Sequence, residues 1–504
     1  MAAAAEAPAV PRVRSKTAVL AAPASGRVAA NFFLLSGAEF LAKLMTFAAF
    51  TYLGRALGPE RYGNLEFTLA VMVFFTLPVD FGLGVFGARE IARDSSRALV
   101  LYNDIAGLRL LLAGGSFVSL LAFVALIDKP AEVKLLLCLY GTSLFALPAF
   151  LQWFFQGHDR MLWVAVTSLL RQGVFAALLF LFLRPDTPLL YIGLFECLSV
   201  FGVAAFCQLF AARRLGFRLP RPRWNLRRWV EHFREALPIG LSELTWACVL
   251  YFATVRLAFV VADKYVGLFG TSHRAVMALH TFVWLYLFNL LPSISRCVSL
   301  PQEHLLRLMR RSLNIAAWGS ILVSFLMTAL SRELLTLAYG PLFAEAAPLF
   351  SVLVWMVPVA LLSGHYRYTL IAYERQRWLL YSTALSGAAC ILLSFILIPP
   401  LGAIGAAFAL LGALIVNFAL AYYWVRRDVA RIDFLSHLLK PLLAMCGALT
   451  LFVIAKPLSP WIAAAAAAAA YLGFFAAWQR EDLLHLVGLL PKRFPWTNGE
   501  RVRA

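Results

Sequence analysis

The stretch MLWVAVTSLLRQGVFAALLFLFL occupies residues 161–183, and its reading decides the fold. Its only ionisable side chain is Arg171, and the run is long enough to cross a hydrocarbon core of about 30 Å as a helix. Runs of this kind recur along the chain. The 504 residues are 62% apolar and 14% charged, with a mean hydropathy of +0.78. Soluble domains are about half apolar and about a quarter charged, so a soluble enzyme or a string of soluble modules is excluded.

The expected fold is all-α: a polytopic membrane protein of about fourteen transmembrane helices. The spans fall near residues 31–52, 65–86, 106–127, 134–154, 161–183, 189–211, 236–262, 275–295, 313–331, 343–364, 378–398, 402–425, 440–456 and 459–478. Only the two-proline turn KPLSP, residues 456–460, separates the last pair, which decides between 13 and 14 spans. Residues 31–211 form an expected amino-terminal six-helix lobe and 236–425 a second one, with two additional helices over 426–479. Between the lobes, 212–235 is a basic cytosolic linker whose Pro220, Pro222 and Trp224 suggest an extended connection and then an amphipathic helix at the membrane surface. Residues 1–30, rich in Ala and Pro, read as a disordered cytosolic tail, and 480–504 as a second tail.

Lys and Arg number 45 against 26 Asp and Glu, a formal charge of +19. With the amino terminus in the cytosol, most of this excess falls on the inner side, and Arg213, Arg214, Arg218, Arg221, Arg223, Arg227, Arg228 and Arg234 crowd the central loop. That is the positive-inside pattern, and it places both termini in the cytosol. Anionic lipid, not nucleic acid, is the expected partner of these charges. The seven cysteines are scattered without metal-like spacing, and the chain has no phosphate loop, zinc motif or nucleophile elbow, so no catalytic residue and no metal or other cofactor is expected.

A charge at bilayer depth is costly unless it is paired, snorkelled or turned to an aqueous cavity, so ionisable residues within spans are the first functional candidates. Guanidinium groups suit an anionic substrate because they bind phosphate through a planar fork of donors. The candidates are Arg171 and Arg256, which sit deep, Arg109 and Arg296, which sit near cytosolic ends where snorkelling is the plainer account, and Lys43. Glu39 and Lys43 are four apart on one helix face, as an internal ion pair or a cavity-facing one. Glu39, Glu66, Glu196 and Glu243 are candidates for ion coupling or cavity pairing. Pro78, Asp80 and Gly82 mark a break that is either structural, with Asp80 satisfying freed backbone groups, or a hinge. Gln172, His280, Asn289 and Asn417 add polar groups that more often serve helix packing.

Five segments carry a family resemblance: GRALGPERYGNLEF (54–67), PVDFGLGVFGAREIAR (78–93), PAFLQWFFQGHDRM (148–161), LAYGPLFAEAAPLF (337–350) and IPPLGAIGAAFAL (398–410). Their order and spacing resemble the polysaccharide-biosynthesis branch of the multidrug/oligosaccharidyl-lipid/polysaccharide exporter superfamily. The resemblance implies a two-lobed flippase of the bacterial inner membrane. It would turn a polyprenyl-diphosphate-linked oligosaccharide from the cytosolic to the periplasmic leaflet by alternating access, for O-antigen or exopolysaccharide synthesis. Na⁺, H⁺ or the membrane potential would drive it, and polysaccharide polymerase and chain-length regulator proteins would be its partners. The alternatives are a peptidoglycan lipid-precursor flippase, a cation-coupled drug or metabolite antiporter of the same superfamily, and, disfavoured by short outer loops, a membrane glycan polymerase or ligase.

Overall fold

The computed structural model describes residues 25–214 and 225–478. Residues 1–24 and 479–504 and the basic stretch 215–224 lie outside them, and with them most of the expected tails and part of the expected linker. The described chain is helical: α1 (Ser25–Asp80), α2 (Leu83–Arg93), α3 (Ala98–Leu126), α4 (Ala131–Thr142), α5 (Gln152–Gly157), α6 (Met161–Phe182), α7 (Leu190–Arg214), α8 (Leu226–Leu257), α9 (Asp263–Cys297), α10 (Gln302–Ala329), α11 (Ser331–Tyr339), α12 (Ala347–Leu353), α13 (Met356–Ala372), α14 (Gln376–Asp428), α15 (Leu435–Ala455) and α16 (Pro460–Trp478). Among the described residues, 12 helical segments are long and apolar enough to cross a membrane.

Two of these segments are far longer than one crossing needs, and each is broken at a glycine. Gly58 (φ 72°) precedes Pro59 and divides α1, and Gly402 (φ 57°) follows Pro399 and Pro400 and divides α14. Proline removes a helical N–H and glycine accepts the left-handed backbone, so the pair turns the chain where no other residues would. Both breaks fall at the joints between expected spans, 31–52 and 65–86 for Gly58 and 378–398 and 402–425 for Gly402. The expected span at 134–154 is also interrupted, because α4 passes into a 3-10 turn, Ser143–Ala149, that contains Pro148.

Of the segment expected to carry an amphipathic helix, residues 226–235 open a helix that is long and apolar enough to cross a membrane. Asn225 accepts a hydrogen bond from the Arg228 N–H at 3.2 Å, capping α8, which then runs through Pro238 to Leu257. Of its first apolar residues, Trp229 is buried and Phe233 stacks on Phe81 with centroids 5.5 Å apart, while Leu226 and Val230 are exposed.

The two halves of the chain meet along α1 and α9. At Gly63 a Cβ would lie 1.8 Å from the Asp263 carbonyl oxygen, and at Gly267 one would lie 1.9 Å from the Pro59 oxygen, so the backbones touch where only glycine fits. An ion pair across the halves at the same end adds to the closure, Lys129 to Asp263 at 2.8 Å, while Lys264 to Glu345 at 2.6 Å braces the second half there. Arg55 there donates to the carbonyls of Leu337 and Ala338. Beneath this closure a core of Leu53, Tyr62, Phe269, Phe343 and Leu353 joins both halves. The last two helices stand apart and pack on α10 through Trp318, Phe325, Phe452 and Tyr471.

Candidate functional site

Between the halves lies a cavity of about 710 Å³. Its walls come from α1, α4, α6 and α7 on one side and α8, α9, α13 and α14 on the other. Four cationic side chains line it, Lys43, Arg171, Arg274 and Arg367, against two carboxylates, Glu66 and Glu196. Aromatic rings of Phe47, Phe50, Trp246, Tyr251 and Trp284 supply much of the remaining surface. A chamber of this size and polarity inside an apolar bundle can hold a charged head group that bare hydrocarbon would reject.

Both carboxylates are already engaged. Arg171 on α6 donates to Glu196 on α7 at 2.7 Å, and Ser199 donates to the Arg171 carbonyl at 2.6 Å. Arg274 on α9 grips Glu66 on α1 through Nε and Nη2, a bidentate pair that spans the two halves. The Arg274 guanidinium also lies 3.6 Å from the centroid of Phe50. Arg367 on α13 lies 4.9 Å over the Trp246 ring, and its Nε has no hydrogen-bond partner.

Of the expected site residues, the structure brings Lys43, Arg171, Glu66 and Glu196 to this cavity, with Gln172, His280 and Asn417 beside them. Glu39 accepts from Ser168 at 3.1 Å instead of pairing with Lys43. The remaining candidates stand elsewhere. Arg256 lies in the last turn of α8, over the Phe395 ring at 4.8 Å. Arg296 is exposed and donates to Ser293 at 3.1 Å.

Arg109, buried, forms an ion pair with Asp80 and lies over Trp153 at 5.7 Å. Asp80 also accepts from the Gly84 N–H at 3.1 Å, so it satisfies a backbone group freed where α1 ends. Phe81 and Gly82 there both have positive φ, 37° and 80°. Glu243, on α8, is not among the residues that line the cavity. Among the described residues, no group of three or more His, Cys, Asp and Glu side chains is arranged to hold a metal ion.

Arg274, Arg367 and His273 escape the sequence reading because the spans there are drawn short. The expected eighth span begins at 275, but α9 starts at Asp263; the expected tenth ends at 364, but α13 continues to Ala372. A span drawn by hydropathy is trimmed back from charge, which moves cavity-facing arginines into imagined loops. The helical spacing of Gly267, Gly270 and Arg274, three to four residues apart on one face toward α1, is the signal that recovers Arg274.

Comparison with known proteins agrees with this architecture. A protein of Escherichia coli (strain K12) named for O-antigen transport is 22% identical over 409 residues, 78% of this chain and 95% of its own length. The inward closed conformation of the lipid II flippase MurJ superposes with a TM-score of 0.74 at 12% identity, covering 90% of this chain and all of that one. An inward-facing multidrug resistance MATE family transporter of the MOP superfamily gives a TM-score of 0.61 at 15% identity, covering 77% and 94%. These likenesses show the fold of the MOP superfamily. The profile of the polysaccharide biosynthesis protein family matches residues 28–298, more than half of the sequence, and the chain therefore belongs to that family of MOP-superfamily membrane transporters.

Proposed function

We propose that the protein is a flippase of the bacterial inner membrane that moves a polyprenyl-diphosphate-linked saccharide between leaflets by alternating access. The observation that carries this reading is the interlobar cavity, with four cations against two carboxylates. A diphosphate and its sugars cannot cross hydrocarbon unaided, whereas a polyprenyl tail has no reason to leave it. In this reading the chain makes fourteen passes, two of them gained at Gly58 and Gly402, as two six-helix lobes followed by two further helices. The cytosol holds both termini, and no bond is made or broken.

The fine identity of the cargo has two readings. The curated relatives are named for O-antigen transport, which supports a cell-surface polysaccharide unit. The likeness to the lipid II flippase extends over more of the chain and supports the peptidoglycan-precursor alternative better. A cation-coupled drug antiporter is supported by the MATE fold but opposed by the surplus of positive charge in the cavity. Coupling to Na⁺ or H⁺ would fall to Glu66 or Glu196, with Glu39 and Glu243 as further candidates and the Pro78–Gly82 break as hinge. Polymerase and chain-length regulator proteins would take up an O-antigen-type product.

The test is flipping in proteoliposomes. Fluorescent lipid II and an undecaprenyl-diphosphate-linked O-antigen unit are supplied separately, and the fraction reaching the opposite leaflet is followed. Transport of either supports the flippase and names its cargo; transport of neither, with a cationic dye exchanged instead, overturns it in favour of an antiporter.

A further inference from the structure

We infer that Arg367, backed by Trp246 and joined by Asn417, is the oxyanion-binding subsite of the cavity and takes the diphosphate or a sugar carboxylate of the cargo. This rests on the flippase reading and names which of the four cations receives the charge.

The deciding property is charge compensation. Arg171 is already charge-paired with Glu196 at 2.7 Å, with its Nε left over, and Arg274 is paired with both oxygens of Glu66. An anion arriving at either guanidinium must displace a carboxylate and leave it desolvated without a partner, which is unfavourable in a low-dielectric chamber. Arg367 has no carboxylate within ion-pair distance among the described residues, and its neighbour is the face of Trp246 at 4.9 Å. Stacking fixes the plane of a guanidinium without using its donors, so the fork stays open to bidentate phosphate or carboxylate.

Two further donors line the same cavity. Asn417 on α14 is 2% exposed and its Nδ2 has no partner; His273 on α9 is 5% exposed and its Nε2, which donates in the Nε2–H tautomer, has none. Buried donors left unsatisfied are costly, and a bound oxyanion supplies the acceptors they lack. Lys43, the other cation without a carboxylate, is exposed and can keep its ammonium hydrated, which makes it the weaker receptor. Arg367, Asn417 and His273 all belong to the second half of the chain.

The experiment titrates the full-length protein in detergent with farnesyl diphosphate and, separately, with a glucuronic acid glycoside. Wild-type protein should bind one of them; which one binds assigns the subsite to the phosphate or to the sugar. Arg367→Gln should weaken that binding by roughly tenfold or more, Arg367→Lys by less because charge survives without the fork, and Asn417→Ala severalfold. Thermal melting confirms that each variant is folded. Equal affinity in wild type and Arg367→Gln, or no binding of either anion by wild type, overturns the assignment. Arg367-dependent binding by a protein that flips no lipid-linked glycan would remove the flippase reading and leave the subsite standing.

Discussion

Placing a methyl group at Gly63 tests the mechanism at the narrowest point of the structure. In the observed state the new Cβ would sit 1.8 Å from the Asp263 carbonyl oxygen and 2.9 Å from the Gly267 nitrogen. The obstacles are backbone, not the ends of flexible side chains, so no rotamer change relieves them. The half of α1 that follows Gly58 and the start of α9 must separate by more than an ångström, against the pull of the Lys129–Asp263 pair. Overpacking of this kind costs about 1–3 kcal/mol. If the two halves alternate, that cost falls only on the state in which this end is closed, and the ratio of open to closed shifts by roughly 5- to 150-fold.

The assay is maleimide labelling of a single cysteine at Thr271, which is buried below the contact, in a background with the native cysteines replaced. Labelling of Gly63→Ala and of Gly267→Ala should accelerate by about that factor, with flux reduced because the closed state is depopulated. Gly319→Ala is the control, because a Cβ there meets nothing within 4 Å. Unchanged labelling and unchanged flux in both variants would refute the reasoning, since the contact would then not be part of a moving closure.

The other predictions concern the ion pairs. Asp80→Asn leaves buried Arg109 without its carboxylate and should lower stability by about 2–3 kcal/mol, read from thermal unfolding in detergent; the roughly 3–5 kcal/mol of a fully enclosed pair is not reached because Asp80 is 40% exposed. Glu66→Gln strands Arg274 across the interface between halves. The double variant Glu66→Gln, Arg274→Gln should melt higher than Glu66→Gln alone, and a double-mutant cycle with no coupling would show that the pair carries no weight. In the proteoliposome assay Arg171→Gln should reduce flux more than Arg256→Gln, because only Arg171 lines the cavity; the reverse order would relocate the path.

The membrane class, the helical fold and most span positions were legible in the sequence, and the reason is local. A run such as 161–183 must cross a bilayer whatever surrounds it, and Gly58-Pro59 must break a helix whatever it packs on. The deep position of Arg171 is local in the same sense, since it follows from distance along one helix. Partnership is not local. That Arg171 meets Glu196, that Asp80 belongs to Arg109 and not to a substrate, and that Arg256 turns to Phe395 all depend on which helices lie side by side. The backbone contact at Gly63 and Gly267 is likewise invisible until α1 and α9 are brought together.

Arg274 and Arg367 mark the boundary between the two kinds of knowledge. Hydropathy ends a span where charge begins, but a helix lining a polar chamber carries its charge inside, and only the packed bundle supplies the chamber. By itself the sequence determined that this protein crosses a membrane many times with charges it cannot leave in lipid. The tertiary structure decided which of those charges cancel and which stay open, because compensation depends on distances between helices that no single helix encodes.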